Sequence, residues 1–133
     1  MQSHALVAIV TLVALLAYMW MVVRVGGARR KSGIAAPTMT GDPILERTIR
    51  VQANTLEWLP IFLPALWLFA VYWNDLIAAA LGAVWVVGRI IYAFGYVAGP
   101  KKRAAGFLIQ ALATMVLLFG ALGRAIYVLT LTG

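Results

Sequence analysis

Residues 76–98 read LIAAALGAVWVVGRIIYAFGYVA, an apolar run interrupted by one charge, Arg89. At 1.5 Å per residue a helix needs about 20 residues to cross a hydrocarbon core of about 30 Å, and this run has that length. Lipid offers no partner to an unpaired backbone N–H or C=O, so such a run reads as helix. On either side of it lie three more runs of the same kind, at roughly 5–23, 51–73 and 104–131. The whole chain has 133 residues, 64% of them apolar and only 11% charged. Soluble domains carry about 25% charged residues, and a small soluble core cannot hide so much apolar surface. The expected architecture is an all-α integral-membrane four-helix bundle, left-handed, forming one domain over 1–133 with spans about 5–25, 45–73, 76–98 and 102–131.

The punctuation between runs agrees. Gly26-Gly27 offers a stop for the first helix. Asp42-Pro43 is an N-cap followed by proline at the first helical position. Asn74-Asp75 makes a tight turn and Gly99-Pro100 a break. No basic stretch precedes the first run and no small-residue cleavage site follows it, so it reads as a retained span rather than a signal peptide.

Net charge is +7, and its placement decides its meaning. Arg24, Arg29, Arg30, Lys31, Arg47 and Arg50 lie in or beside loop 1, and Lys101, Lys102 and Arg103 lie in loop 3. Loop 2 carries only Asp75. Two short basic clusters beside apolar runs suit anionic headgroups or an anionic ligand, not nucleic acid. The positive-inside rule puts loops 1 and 3 in the cytoplasm and both termini on the opposite side. Without cysteine the chain has no disulfide, thiolate ligand or cysteine nucleophile. One histidine and four scattered carboxylates suggest no metal site.

Polar residues inside the spans are costly, about 2.5–3.5 kcal/mol for a charge at mid-membrane on insertion scales, and so face protein or a wet cavity. Arg50, Asn54 and Glu57 share one face of helix 2, and Arg89, Tyr92 and Tyr96 one face of helix 3. A structural reading pairs Glu57 with Arg89 and leaves Tyr92 and Tyr96 as interfacial aromatics. A functional reading builds a basic, tyrosine-lined pocket for an anionic ligand that also carries an amine. Tyr18, Trp20, Tyr72, Trp73 and Tyr127 read as interfacial belts, and Arg124 as a snorkelling side chain. Pro60 and Pro64 should bend helix 2. Ala79-x-x-x-Ala83 and Gly95-x-x-x-Gly99 would allow close helix approach.

The stretch Glu46-Arg47-Thr48-Ile49-Arg50-Val51-Gln52-Ala53-Asn54-Thr55-Leu56-Glu57-Trp58-Leu59-Pro60 resembles the helix 2 motif of the MAPEG superfamily, membrane-associated proteins in eicosanoid and glutathione metabolism. Arg89-Ile90-Ile91-Tyr92-Ala93-Phe94-Gly95-Tyr96 resembles the family's helix 3 block, with Arg103 following at the family's distance. Arg29-Arg30 matches the leukotriene C synthase branch. The resemblance implies a homotrimer with glutathione as co-substrate at each subunit interface and no metal. Arg29, Arg50, Gln52, Asn54, Glu57, Trp58, Tyr92 and Tyr96 would bind glutathione, several of them from a neighbouring subunit. Arg103 would activate the thiol and Arg30 would lie near the reacting centre. Trp58 stands where the synthase branch has tyrosine, and an indole donates but does not accept.

By the same resemblance the chain should be a microsomal glutathione transferase-like detoxification enzyme, conjugating glutathione to an apolar electrophile or reducing a lipid hydroperoxide. A free thiol has pKa ~8.5, and lowering it by about two units takes ~2.7 kcal/mol. An arginine ~4 Å away supplies roughly 4 kcal/mol at an effective dielectric near 20. The alternative is a non-catalytic lipid-binding membrane scaffold of the activating-protein type; turnover with glutathione separates the two.

Overall fold

A computed structural model describes residues 4–132, with only the backbone of Pro100; residues 1–3 and 133 of the expected domain lie outside the described residues. Four helices account for nearly all of it. α1 is Ala5–Ser32, α2 Pro43–Tyr72 and α3 Asp75–Ala98; a 3₁₀ turn, Pro100–Arg103, leads into α4, Ala104–Thr132. All four are long and apolar enough to cross a membrane. Their outward faces are rows of exposed aliphatics such as Leu12, Leu16, Leu112 and Leu129, as lipid requires.

Local chemistry sets the ends. The Asp42 carboxylate accepts the Leu45 N–H at 2.9 Å, and the Asn74 side chain accepts the Ile77 N–H at 2.8 Å. α1 does not stop at Gly26-Gly27. It runs on to Ser32 and ends where Gly33 adopts φ 75° and donates its N–H to the Arg29 carbonyl at 2.9 Å. Glycine lowers helix propensity by about 1 kcal/mol, too little to end a helix this long. α2 passes through Pro60 and Pro64 as one element. Thr48, Thr55 and Thr114 return their hydroxyls to carbonyls one turn back, so none of these three donors is left bare in the interior.

α2 and α3 form the centre, with α1 and α4 packed on them. α1 buries one line of side chains in the bundle, Val7, Ala14, Met21 and Ala28, every seventh residue. The tightest approach joins α3 to α4. A Cβ on Gly106 would meet the Tyr92 backbone nitrogen, and one on Gly88 would come within 2.8 Å of the Gln110 nitrogen. These two glycines, not Ala79 and Ala83, bring the backbones together; Ala83 is exposed. Gly95 seats the 3₁₀ turn, since a Cβ there would strike the Lys102 carbonyl, whereas Gly99 has open space.

The larger core cluster centres on Phe62 and Trp85, stacked 4.0 Å apart with rings nearly parallel. A smaller one, Met21, Val51, Tyr92 and Ala93, lies towards the end that carries loops 1 and 3.

Candidate functional site

The helix 2 motif is spread around its helix, and each side chain meets something different. Glu46 accepts the Gly41 N–H at 3.0 Å and Arg47 donates to the Val97 carbonyl at 3.3 Å, which ties α2 to loop 1 and to the end of α3. Gln52 points towards α1 and donates to the Tyr18 hydroxyl at 2.6 Å, so Tyr18 is a bonded partner and not a free belt residue. Glu57 is exposed on the outer surface of the single chain. Arg50 and Asn54, on the face of α2 away from Gln52, line a groove.

That groove encloses about 590 Å³ between α2, α3 and the start of α4, within the ~300–1,000 Å³ of ordinary small-ligand sites. Arg50, Asn54, Tyr92, Tyr96 and Arg103 bring polar groups to it, and Phe107 and Leu108 supply an apolar wall. The Arg103 guanidinium lies 5.5 Å from the Tyr96 ring centre, and Tyr96 meets Tyr92 edge to face at 5.6 Å. Two guanidinium groups and no carboxylate line it, so its field favours an anion.

The floor of the site rests on Arg89. This arginine is fully buried. Its Nη1 donates to the Asn54 side-chain oxygen at 2.8 Å and to the Thr55 hydroxyl at 3.2 Å. Three rings surround the cation, with Tyr92, Trp85 and Trp58 centred 4.9, 5.6 and 5.8 Å away. The Glu57–Arg89 pairing does not form: His4–Asp75 is the one ion pair among the described residues. Successive residues on a helix are 100° apart, so the turn that aims Asn54 and Thr55 at α3 carries Glu57 out of reach. Arg89 thereby fixes which way the Asn54 amide faces, a positioning role that charge pattern alone does not disclose.

Other candidate residues lie elsewhere in the chain. Arg29 donates to the carbonyls of Thr38 and Ile34, at 2.7 and 3.3 Å, and folds loop 1 back on α1. Arg30 is exposed. Trp58 stands edge-on to Phe107 at 5.6 Å, behind the groove wall. Phe107 itself had no signal in the sequence, being one aromatic in an apolar run. No cluster of three or more His, Asp or Glu able to hold a metal occurs among the described residues.

The MAPEG family matches residues 7–123. An uncharacterized protein of Synechocystis sp. is 50% identical over 115 residues, which cover 86% of this chain and 84% of that one. Human microsomal glutathione S-transferase 2 is 37% identical over 124 residues, 92% of this chain and 84% of its own. Leukotriene C4 synthase of Cavia porcellus is 37% identical over 114 residues, 86% and 76% of the two chains.

Proposed function

The chain belongs to the MAPEG family, and on that premise we propose that it is a membrane-bound glutathione transferase acting on an apolar electrophile or lipid hydroperoxide. The observation that carries the reading is the groove in which Arg50, Asn54, Tyr92, Tyr96 and Arg103 converge on one apolar wall. Glutathione is an anionic tripeptide with a thiol, and the groove offers fixed cations, a neutral amide and two phenols. Arg50 and Asn54 hold the tripeptide, with Tyr92 and Tyr96 beside it. Arg103 faces the sulfur and stabilises the thiolate; it stays protonated, so it lends charge without competing for the proton. Phe107 and Leu108 lead towards the lipid, where an apolar electrophile is concentrated.

Glu57, Gln52, Arg29, Arg30 and Trp58 stand outside the groove of a single chain. An exposed carboxylate on a span is costly unless a partner covers it. We take this as support for a homotrimer in which these residues complete the site from neighbouring subunits; native mass spectrometry showing only monomers in mild detergent would sink that assembly. The basic residues of loops 1 and 3 support a cytoplasmic position for this end. Cysteines placed at Ser32 and Asn74 should then label from opposite sides.

The central test is Arg103→Ala. Thiolate absorbance near 240 nm in the glutathione complex should fall, and kcat should drop by about one to three orders of magnitude, ~1.4 kcal/mol per factor of ten. Arg50→Ala should instead raise the glutathione KM more than it lowers kcat. Undiminished turnover in Arg103→Ala would remove the thiolate role. Absence of turnover with glutathione in the unaltered protein would favour the lipid-binding scaffold.

A further inference from the structure

On the opposite side of α3 from the groove, α1 and α3 leave a second cleft. Its walls are two helical stripes, Val13, Leu16, Ala17 and Trp20 on α1 and Val86 and Ile90 on α3, enclosing about 300 Å³ of almost purely apolar space. One turn further along each stripe stand Arg24 and Phe94. The Arg24 guanidinium lies 4.8 Å from the Trp20 ring centre and 5.1 Å from that of Phe94, and those rings pack on each other at 5.4 Å. Trp20 thus belongs to both parts, as the last wall of the cleft and the platform under the cation. Arg24 is half-buried and takes part in no ion pair among the described residues.

The dimensions match one kind of molecule. From Val13 to Arg24 the stripe rises about 16 Å along α1, close to half of a ~30 Å hydrocarbon core, which is the depth of one leaflet. The polar end lies level with Phe94, near the membrane surface that carries loops 1 and 3, and the apolar end lies at mid-membrane. We propose that this cleft binds one acidic phospholipid, its phosphate on Arg24 and one acyl chain laid along the α1–α3 stripes. A guanidinium already seated on two rings loses little freedom on meeting a phosphate, and its fork matches the phosphate oxygens. The site is independent of the transferase reaction, because none of these residues lines the Arg103 groove.

The test uses the full-length protein in phosphatidylcholine vesicles. About one-tenth of the lipid is replaced by brominated phosphatidylglycerol or, in parallel, brominated phosphatidylcholine, since bromine quenches only tryptophans it touches. Subtracting Trp20→Phe isolates the Trp20 emission. Phosphatidylglycerol should quench Trp20 with about five-fold preference, the factor equivalent to ~1 kcal/mol per basic residue at an anionic surface. Arg24→Gln should bring the preference to unity with phosphatidylcholine quenching unchanged, and Arg24→Lys should keep part of it. Arg29, Arg30 and Lys31 remain in both variants, so a general basic-surface effect would persist in Arg24→Gln and would overturn the proposal. Raising salt to about 1 M on the unaltered protein should also reduce the preference, a reading that needs no variant to fold. Equal quenching by both lipids would overturn it. So would loss of quenching by either lipid with a disulfide forming between copies of Leu16→Cys, for then a second chain covers the cleft.

Discussion

The two ends of the bundle are made from the same apolar helices yet treat their polar groups in opposite ways. At the loop 2 end, polar groups largely close on one another. His4 meets Asp75 at 2.8 Å, Trp67 donates to the Thr11 hydroxyl at 2.8 Å, and Trp73 donates to the Gly120 carbonyl at 2.9 Å. Arg124, expected to snorkel, is the exception: it lies over the rings of Trp73 and Tyr127 at 4.8 and 5.3 Å, but its buried Nε has no hydrogen-bond partner among the described residues. At the other end Arg50, Tyr96 and Arg103 open onto a groove, above the buried contacts of Arg89 with Asn54 and Thr55. Polar groups that satisfy each other fasten helices; polar groups held apart around a cavity await something else. In a membrane that distinction is sharp, because an unspent polar group has no water to fall back on.

The contrast between the ends is most severely tested at Gly106. If the open end is held apart by backbone contact between α3 and α4, Gly106→Leu should force those helices to separate and cost on the order of 3 kcal/mol or more. Thermal unfolding in detergent should show it, together with loss of activity. Gly123→Ala, towards the loop 2 end where nothing lies within 4 Å, should cost nothing and can raise stability by up to about 1 kcal/mol through helix propensity. Equal effects at the two glycines would erase the contrast.

Arg89→Met comes next. It keeps much of the volume but leaves Asn54 without its charged donor, at a cost of about 1.5–3 kcal/mol. Because Asn54 then loses its orientation, the glutathione KM should also rise. A stability loss with unchanged KM would mean that Arg89 fastens helices and does not position the groove. The smallest effect belongs to the closed end. His4 and Asp75 are 43% and 26% exposed, and such pairs are worth about 0–1 kcal/mol. Asp75→Asn should barely move the melting temperature and leave turnover unchanged; a loss of activity would show that the two ends communicate.

Local signals made much of this legible in the chain. Run length and backbone desolvation dictate the spans, and Asp42 and Asn74 cap the helices their positions suggest. Gly26-Gly27 misled because glycine is a strong punctuator only where water can take the freed backbone groups. The Gly88–Gly106 approach was illegible because the two residues sit on different helices, and small-residue spacing within one helix says nothing about which helix it will meet. Of the site residues, Arg50, Asn54, Tyr92 and Tyr96 are legible from helical spacing and Arg103 from its basic cluster, with the family pattern naming roles for all five, and the chain gathers them in one groove. The structural reading pairs Glu57 with Arg89 on charge alone. Helical phase overrules charge here, giving Arg89 to Asn54 and Thr55.

The two-residue link between α2 and α3, Trp73 and Asn74, bears on how such a chain enters a bilayer during synthesis. Arg89, Asn54 and Thr55 all belong to this one helical hairpin. A nascent chain that has reached Ala98 therefore already holds its most costly charge and that charge's partners. The hairpin can leave the insertion machinery as a unit with the arginine bonded, without waiting for α4. The wall that carries Arg103 is translated afterwards. On this geometry the charge is satisfied within the hairpin, whereas the groove is complete only once the segment carrying Arg103 has joined it.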